Sequence, residues 1–155
     1  MGGTKIAAAP FVNGKLLKDQ EIKEATPQND AGAILDTMEQ IVKQLQAKNE
    51  ISAVGISTAG VVSDDGTMIG SCGNIKGWKG THVKKELERR LALPITVEND
   101  ANCAALAEAT VGGAKGMNPV LLVIVGTGIG GGIVWDNKIW RGAHFAGGEI
   151  GHIKL

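Results

Sequence analysis

Four short segments hold residue types whose spacing suits particular chemistry. Gly2-Gly3-Thr4-Lys5 joins a turn without Cβ atoms to a hydroxyl and an ammonium. Backbone N–H groups in such a turn approach an anion closely, so the segment suits a phosphate group. Glu98-Asn99-Asp100-Ala101-Asn102 sets three polar residues after the apolar stretch 95–97 and before an alanine-rich stretch. There Asp100 has two readings: it is a helix N-cap, or it is a carboxylate that takes a proton from a substrate hydroxyl, with Asn99 holding a neighbouring hydroxyl. Glu149-Ile150-Gly151-His152 brings a carboxylate and an imidazole to one side of a helical turn, suited to gripping adjacent hydroxyls or a metal.

The fourth segment is the glycine run Gly126-Thr127-Gly128-Ile129-Gly130-Gly131-Gly132. Gly126, Gly128 and Gly131 satisfy G-x-G-x-x-G, the fingerprint of a dinucleotide-binding module, but that fingerprint must open a helix. Residues 133–140 are β-branched and aromatic and are broken by Asp136-Asn137, which predicts a β-hairpin. A glycine-rich hairpin turn that clamps nucleotide phosphates fits better, and no G-x-x-x-x-G-K-[ST] motif occurs.

The surrounding elements must hold these segments in place. Residues 5–12 read as a strand, Asn13-Gly14 as a hairpin turn, and 15–22 as the returning strand. In 31–48, Ile34, Met38, Ile41 and Leu45 recur at helical spacing, after a break at 26–30 that supplies an N-cap. Residues 51–58 predict a buried strand and 63–66 a turn in a second hairpin. Val83, Leu87 and Leu91 predict a helix capped by Thr81 and ended by Pro94. A strand over 95–98, a helix over 101–111 closed by Gly112-Gly113, and strands over 119–125 and 129–135 complete the order. Strands alternating with helices predict an α/β fold, and the restart of hairpin order predicts two parts, 1–118 and 119–155.

Bulk composition narrows the functions. Among 155 residues, sixteen Lys and Arg balance sixteen Asp and Glu, so the chain lacks the basic excess that nucleic acid backbones require. Five aromatic residues, three Trp and two Phe, are too few for base-stacking platforms. No apolar run approaches the roughly 20 residues that span a bilayer. Two cysteines outside any C-x-x-C pair, with no visible signal peptide, predict a reduced cytoplasmic setting. No nucleic acid or membrane partner is expected.

Taken together and in this order, the segments resemble the ROK family (repressors, open reading frames, kinases). Gly2-Gly3-Thr4-Lys5 is similar to the end of its Asp-x-Gly-Gly-Thr-Lys phosphate signature. Ser57-Thr58-Ala59-Gly60 resembles its small-residue turn beside the sugar, and Gly73-Asn74-Ile75-Lys76-Gly77-Trp78 its Asn-x-x-Gly-Trp loop. Glu98–Asn102 resembles the segment with the catalytic aspartate, 126–132 the second phosphate loop, and 149–152 the E-x-G-H motif. The likeness covers essentially the whole chain.

The resemblance implies an actin-like, ribonuclease-H-like ATPase fold with two lobes and a cleft, and phosphoryl transfer from Mg2+-bound ATP to a hexose or N-acetylhexosamine hydroxyl. It implies Asp100 as general base, and Asn99, Glu149, His152, Gly60 and Asn74 as sugar contacts. Gly2, Gly3, Thr4, Lys5, Gly126, Thr127 and Gly128 would flank the ATP phosphates. His152 corresponds to a ligand of the structural Zn2+ found in many members. The alternative within the family is a sugar-sensing transcriptional repressor; retained Asp100 favours a kinase.

Two departures from the family pattern set further expectations. The aspartate and first strand that precede the first glycines in the family are missing ahead of Gly2, where Met1 stands. The Cys-x-Cys-Gly-x-x-Gly-Cys-x-Glu segment, with three zinc cysteines and a sugar-binding glutamate, is not present before Leu155. The expectation is a shortened chain without useful kinase activity on its own, with an incomplete zinc site and apolar sheet edges that favour a homo-oligomer.

Overall fold

Alternating small and apolar residues in Lys5–Ala8 form strand β1. Pro10 has no N–H to donate, and the ladder breaks there before β2, Phe11–Val12. Asn13 and Gly14 take φ of 48° and 78°, the left-handed pair a two-residue hairpin turn needs, and return the chain as β3, Lys15–Leu16. The single strand expected over 15–22 is interrupted by a 3-10 turn, Lys18–Gln20, before β4, Ile22–Ala25. Strand β4 pairs antiparallel with β1, from Lys5 opposite Ala25 to Ala8 opposite Ile22. The break lets one short hairpin, β2–β3, stand apart from the β1–β4 ladder.

These elements come from a computed structural model, which describes residues 1–28, 30–70, 75, 77–126 and 128–153. The described chain forms two compact units, Met1–Val97 and Glu98–Leu155.

In the first unit, helix α1 spans Ala31–Gln46, and its N-cap Asp30 accepts a hydrogen bond from Ala33 N–H at 3.0 Å. Ile34, Leu35, Met38, Ile41, Val42 and Leu45 are buried, which confirms the helical stripe. Strand β5 is Val54–Thr58, helix α2 is Val83–Leu91, and β6, Ile95–Asn99, pairs with β5. Thr81 is not the cap of α2: His82 occupies that position, while the Thr81 hydroxyl donates to Gly77 O at 3.4 Å. Arg90 of α2 bonds Asp36 and Glu39 of α1 at 2.5 and 3.3 Å, so the two helices are joined by charge as well as by packing. Trp78 is fully buried in this core with Ile34, Met68 and Val83.

The second unit is built on a hairpin. Helix α3, Asp100–Thr110, packs on strands β7, Val120–Val125, and β8, Ile129–Trp135. Strand β9, Lys138–Ile139, pairs with β8 across Asp136 and Asn137, both in the left-handed region. This packing groups residues 98–118 with the hairpin, whereas the sequence places a boundary after 118. Residues 133–140 are strand and turn, so the helix that a dinucleotide fingerprint requires is not formed there, and that reading is overturned. Among the described residues no helix is long and apolar enough to cross a membrane.

Candidate functional site

The junction of β6 and α3 decides between the two readings of Asp100. The side chain of Asn99, not of Asp100, caps the helix, accepting from Asn102 N–H at 3.0 Å. Asp100 stands in the first helical turn with an exposed side chain, its Oδ1 accepting from Ala101 N–H at 2.9 Å. A carboxylate there lies at the N-terminal, positive end of the helix dipole. Because Asn99 does the capping, Asp100 is not consumed as a structural cap.

Behind this pair lies a residue for which the sequence reading assigned no role. Glu98 is buried; its Oε1 accepts from Asn99 N–H at 2.8 Å and from Asn102 Nδ2 at 3.0 Å, and its Oε2 pairs with Arg141. One carboxylate thus fixes the backbone of Asn99, the first turn of α3 and the segment after β9. The four-residue spacing of Glu98 and Asn102 was a legible signal; the Arg141 partner, 43 residues away, was not. Among the described residues Asn102 Oδ1 is buried without a hydrogen-bond partner.

Glycines bring the remaining pieces of this unit onto β8. A Cβ on Gly132 would lie 2.7 Å from both Ala101 O and Ala105 Cβ, so only a bare backbone admits the start of α3. On the adjacent residue, which faces the other side of the strand, a Cβ on Gly131 would lie 2.6 Å from Gly148 O. The turn bearing Glu149 and His152 is therefore pressed onto β8, and it ends in a 3-10 turn, Ile150–His152. Glu149 is half-buried and His152 exposed, with His152 Nε2 3.7 Å from Glu149 Oε2. Asn99, Asp100, Glu149 and His152 all belong to this one unit.

At the tip of the β7–β8 hairpin Gly126 N–H bonds Gly128 O at 2.9 Å, and no atom lies within 4 Å of a Cβ built on either glycine. Thr127, expected beside phosphate, lies outside the described residues.

The other expected residues belong to the first unit. Gly2 N–H bonds Lys5 O at 3.1 Å, closing the Gly2–Lys5 turn. Thr26 Oγ1 and Gln28 Nε2 donate to Gly2 O and Gly3 O at 2.7 and 3.0 Å, which pin the turn. Thr4 and Lys5 are exposed. Gly60, at φ 98°, turns the chain after β5. Next to it, buried Thr58 accepts from Trp78 Nε1 at 3.3 Å, anchoring the end of the Asn-x-x-Gly-Trp loop. Asn74 of that loop lies outside the described residues.

Among the described residues the space beside Gly2 in the first unit, and beside Gly126 and Gly128 in the second, is open, as the approach of an anion to each turn requires. The residues do not fit a zinc ion equally well. Among the described residues no group of three His, Cys, Asp or Glu side chains could hold a metal; His152 Nε2 stands 3.7 Å from Glu149 Oε2.

Comparison with known proteins gives the family. The whole chain, residues 1–155, matches the model of the ROK family. It is 38% identical to a glucokinase of Streptomyces coelicolor, covering all of this chain and 48% of that relative. It is also 38% identical to an N-acetyl-D-glucosamine kinase of Photobacterium profundum, covering all of this chain and 51% of that relative. A ROK family glucokinase from Streptomyces griseus, solved in complex with glucose and AMPPNP, superimposes with a TM-score of 0.87 at 39% identity, over all of this chain and 49% of that one. The chain thus spans about half the length of the curated relatives it matches. The mixed α/β arrangement is that of the actin-like ATPase fold of ROK sugar kinases. By sequence over its full length and by fold, the chain is a member of the ROK family.

Proposed function

We propose that residues 1–155 carry the sugar-facing machinery of an ATP-dependent sugar kinase, which phosphorylates a hydroxyl of a hexose or N-acetylhexosamine. The observation that carries this reading is the division of labour at the β6–α3 junction: Asn99 caps the helix, and Asp100 is left as an exposed carboxylate. Asp100 takes the proton of the sugar hydroxyl as the new bond to phosphorus forms. Asn99, Glu149 and His152 hold neighbouring hydroxyls, with Gly60 and Asn74 as further contacts. Glu98 acts through others, holding the Asn99 backbone and the Asn102 amide.

The turns at Gly2–Lys5 and Gly126–Gly128 receive the nucleotide phosphates. When bound, Mg2+ offsets the negative charge of those phosphates. The division into lobes at residue 118, a cytoplasmic setting and a homo-oligomer belong to the same proposal. Leu121, Val123 and Val125, exposed on β7, supply apolar surface for self-association.

The repressor alternative gives Asp100 no proton to accept, so that residue separates the two. The test joins residues 1–155 to the remaining half of the Streptomyces coelicolor relative and measures sugar-dependent ADP release over a panel of hexoses and N-acetylhexosamines. Turnover is expected from the joined protein and not from residues 1–155 alone. Asp100→Asn lowers kcat by about 100- to 10,000-fold with little change in sugar binding. Full turnover by the Asp100→Asn protein would refute the assignment.

A further inference from the structure

The loop that follows β9 is held at both ends. Gly147 N–H donates to Arg141 O at 2.7 Å and closes residues 141–147 into a ring of backbone. At the far end a Cβ on Gly148 would lie 2.8 Å from Gly131 O, so the loop rests on β8 by backbone contact just before Glu149. At the near end the Arg141 guanidinium reaches Glu98, the last-but-one residue of β6. The Glu98 side chain is 8% exposed and that of Arg141 36%, so the carboxylate is the buried partner and the cation its link to the loop.

A carboxylate buried to that degree needs a cation and N–H donors around it. Arg141 supplies the charge at Oε2, while Asn99 N–H and Asn102 Nδ2 donate to Oε1 at 2.8 and 3.0 Å. Those two donors flank Asp100 in the chain. Asn102 is tied a second time, its N–H donating to Asn99 Oδ1 at 3.0 Å. Asp100 therefore rides on a turn fixed on either side by one carboxylate. Its own Oδ1 accepts from Ala101 N–H, a bond that sets the side chain on the turn but not the turn in its surroundings. Without the Arg141 charge, Glu98 is a buried anion among neutral donors; it gains by turning toward water and releasing Asn99 and Asn102.

We propose that Arg141 and Glu98 form a positioning pair for phosphoryl transfer, an inference that rests on the kinase reading of Asp100. Arg141 holds Glu98, Glu98 holds the turn, and the turn aims the Asp100 carboxylate at the sugar hydroxyl. The pair also ties that aim to the loop that ends at Glu149, so the proton acceptor and a sugar contact keep one spacing. Loss of the pair falls on the acceptor rather than on the sugar contact, because the Glu149 end of the loop stays on β8 through Gly148. A displacement of about 1 Å at the acceptor is enough to slow the step about 100-fold.

Two measurements test the pair. In the intact chain, amide hydrogen exchange at Asn99 reads the turn without any need for turnover. Arg141→Met keeps the apolar stem and removes the charge; it should speed that exchange about tenfold, with Val134 of β8 unchanged. Arg141→Lys restores a cation and should speed it by less than about threefold. In the joined kinase, Arg141→Met should lower kcat about 10- to 100-fold with sugar KM within about threefold, and Arg141→Lys should restore most of the loss. Adding Arg141→Met to Asp100→Asn should cause little further loss, since no carboxylate is left to aim. Glu98→Gln keeps an acceptor for Asn99 but turns an amide N–H toward Arg141; it should match Arg141→Met and add little to it. Unchanged Asn99 exchange or unchanged kcat overturns the pair. So does an equal further loss in the Asp100→Asn background, the mark of a folding defect. Full turnover by Asp100→Asn defeats the kinase reading itself, and the positioning role with it, whatever the exchange shows.

Discussion

The two compact units reach a packed state by opposite means. Residues 1–97 fill their interior with large side chains: Trp78, Ile34, Ile41, Met68 and Leu87 are all below 2% exposed. Residues 98–155 instead remove side chains. Their buried apolar cluster is Ala105, Ala109, Val120 and Val134, and β8 meets its neighbours through Gly131 and Gly132. The first manner buries much apolar area around a few large side chains. The second brings backbones into contact and holds a helix start, a turn and an ion pair around one strand. The residues proposed for catalysis sit in the second kind of packing, where backbone contact leaves side chains little room to drift.

Truncation should therefore hurt the first unit most, and added atoms the second. Trp78→Ala removes the largest fully buried side chain and the bond to Thr58, and should cost about 3–5 kcal/mol. Hydrogen exchange should report that loss in residues 1–97, with 98–155 still protected. Equal loss of protection in both would break the comparison.

Gly132→Ala makes the reciprocal test. Its Cβ would meet Ala101 O and Ala105 Cβ at 2.7 Å, so the start of α3 must move. The expected cost is about 1–3 kcal/mol, read by denaturant unfolding with exchange loss confined to 98–155. The same substitution should lower kcat of the joined kinase, because Asp100 rides on that turn.

A smaller effect concerns an exposed turn in the first unit. Ser63 and Thr67 donate hydrogen bonds to the Asp65 carboxylate and hold its pKa down at about 2, from 3.8. A lowered folded value means the contribution to stability is present above about pH 4 and is lost as pH falls toward 2. Carbon-13 shifts of the Asp65 carboxyl should show a midpoint near 2, and Ser63→Ala should move it upward. A midpoint of 3.8 in the native chain would show the turn to be unformed.

Local chemistry made much of the architecture legible. The spacing of Ile34, Met38, Ile41 and Leu45 with Asp30 ahead of it marks α1, because an amphipathic period and a cap act within a few residues. Asn13-Gly14 and Asp136-Asn137 mark hairpins, because few residue types accept positive φ. Residues 133–140 read as a hairpin for the same local reasons, which was enough to reject a dinucleotide fingerprint. The candidate site was legible as a set of motifs, though not as a network.

Tertiary structure decided what depended on distant partners. Sequence left Asp100 open between cap and base, since either residue of Asn99-Asp100 can cap a helix; the bonds that hold Asn99 backbone and Asn102 to Glu98, and Glu98 to Arg141, come from the fold. The 3-10 turn at Lys18–Gln20 and the place of His82, not Thr81, at the cap of α2 were likewise not legible in the sequence.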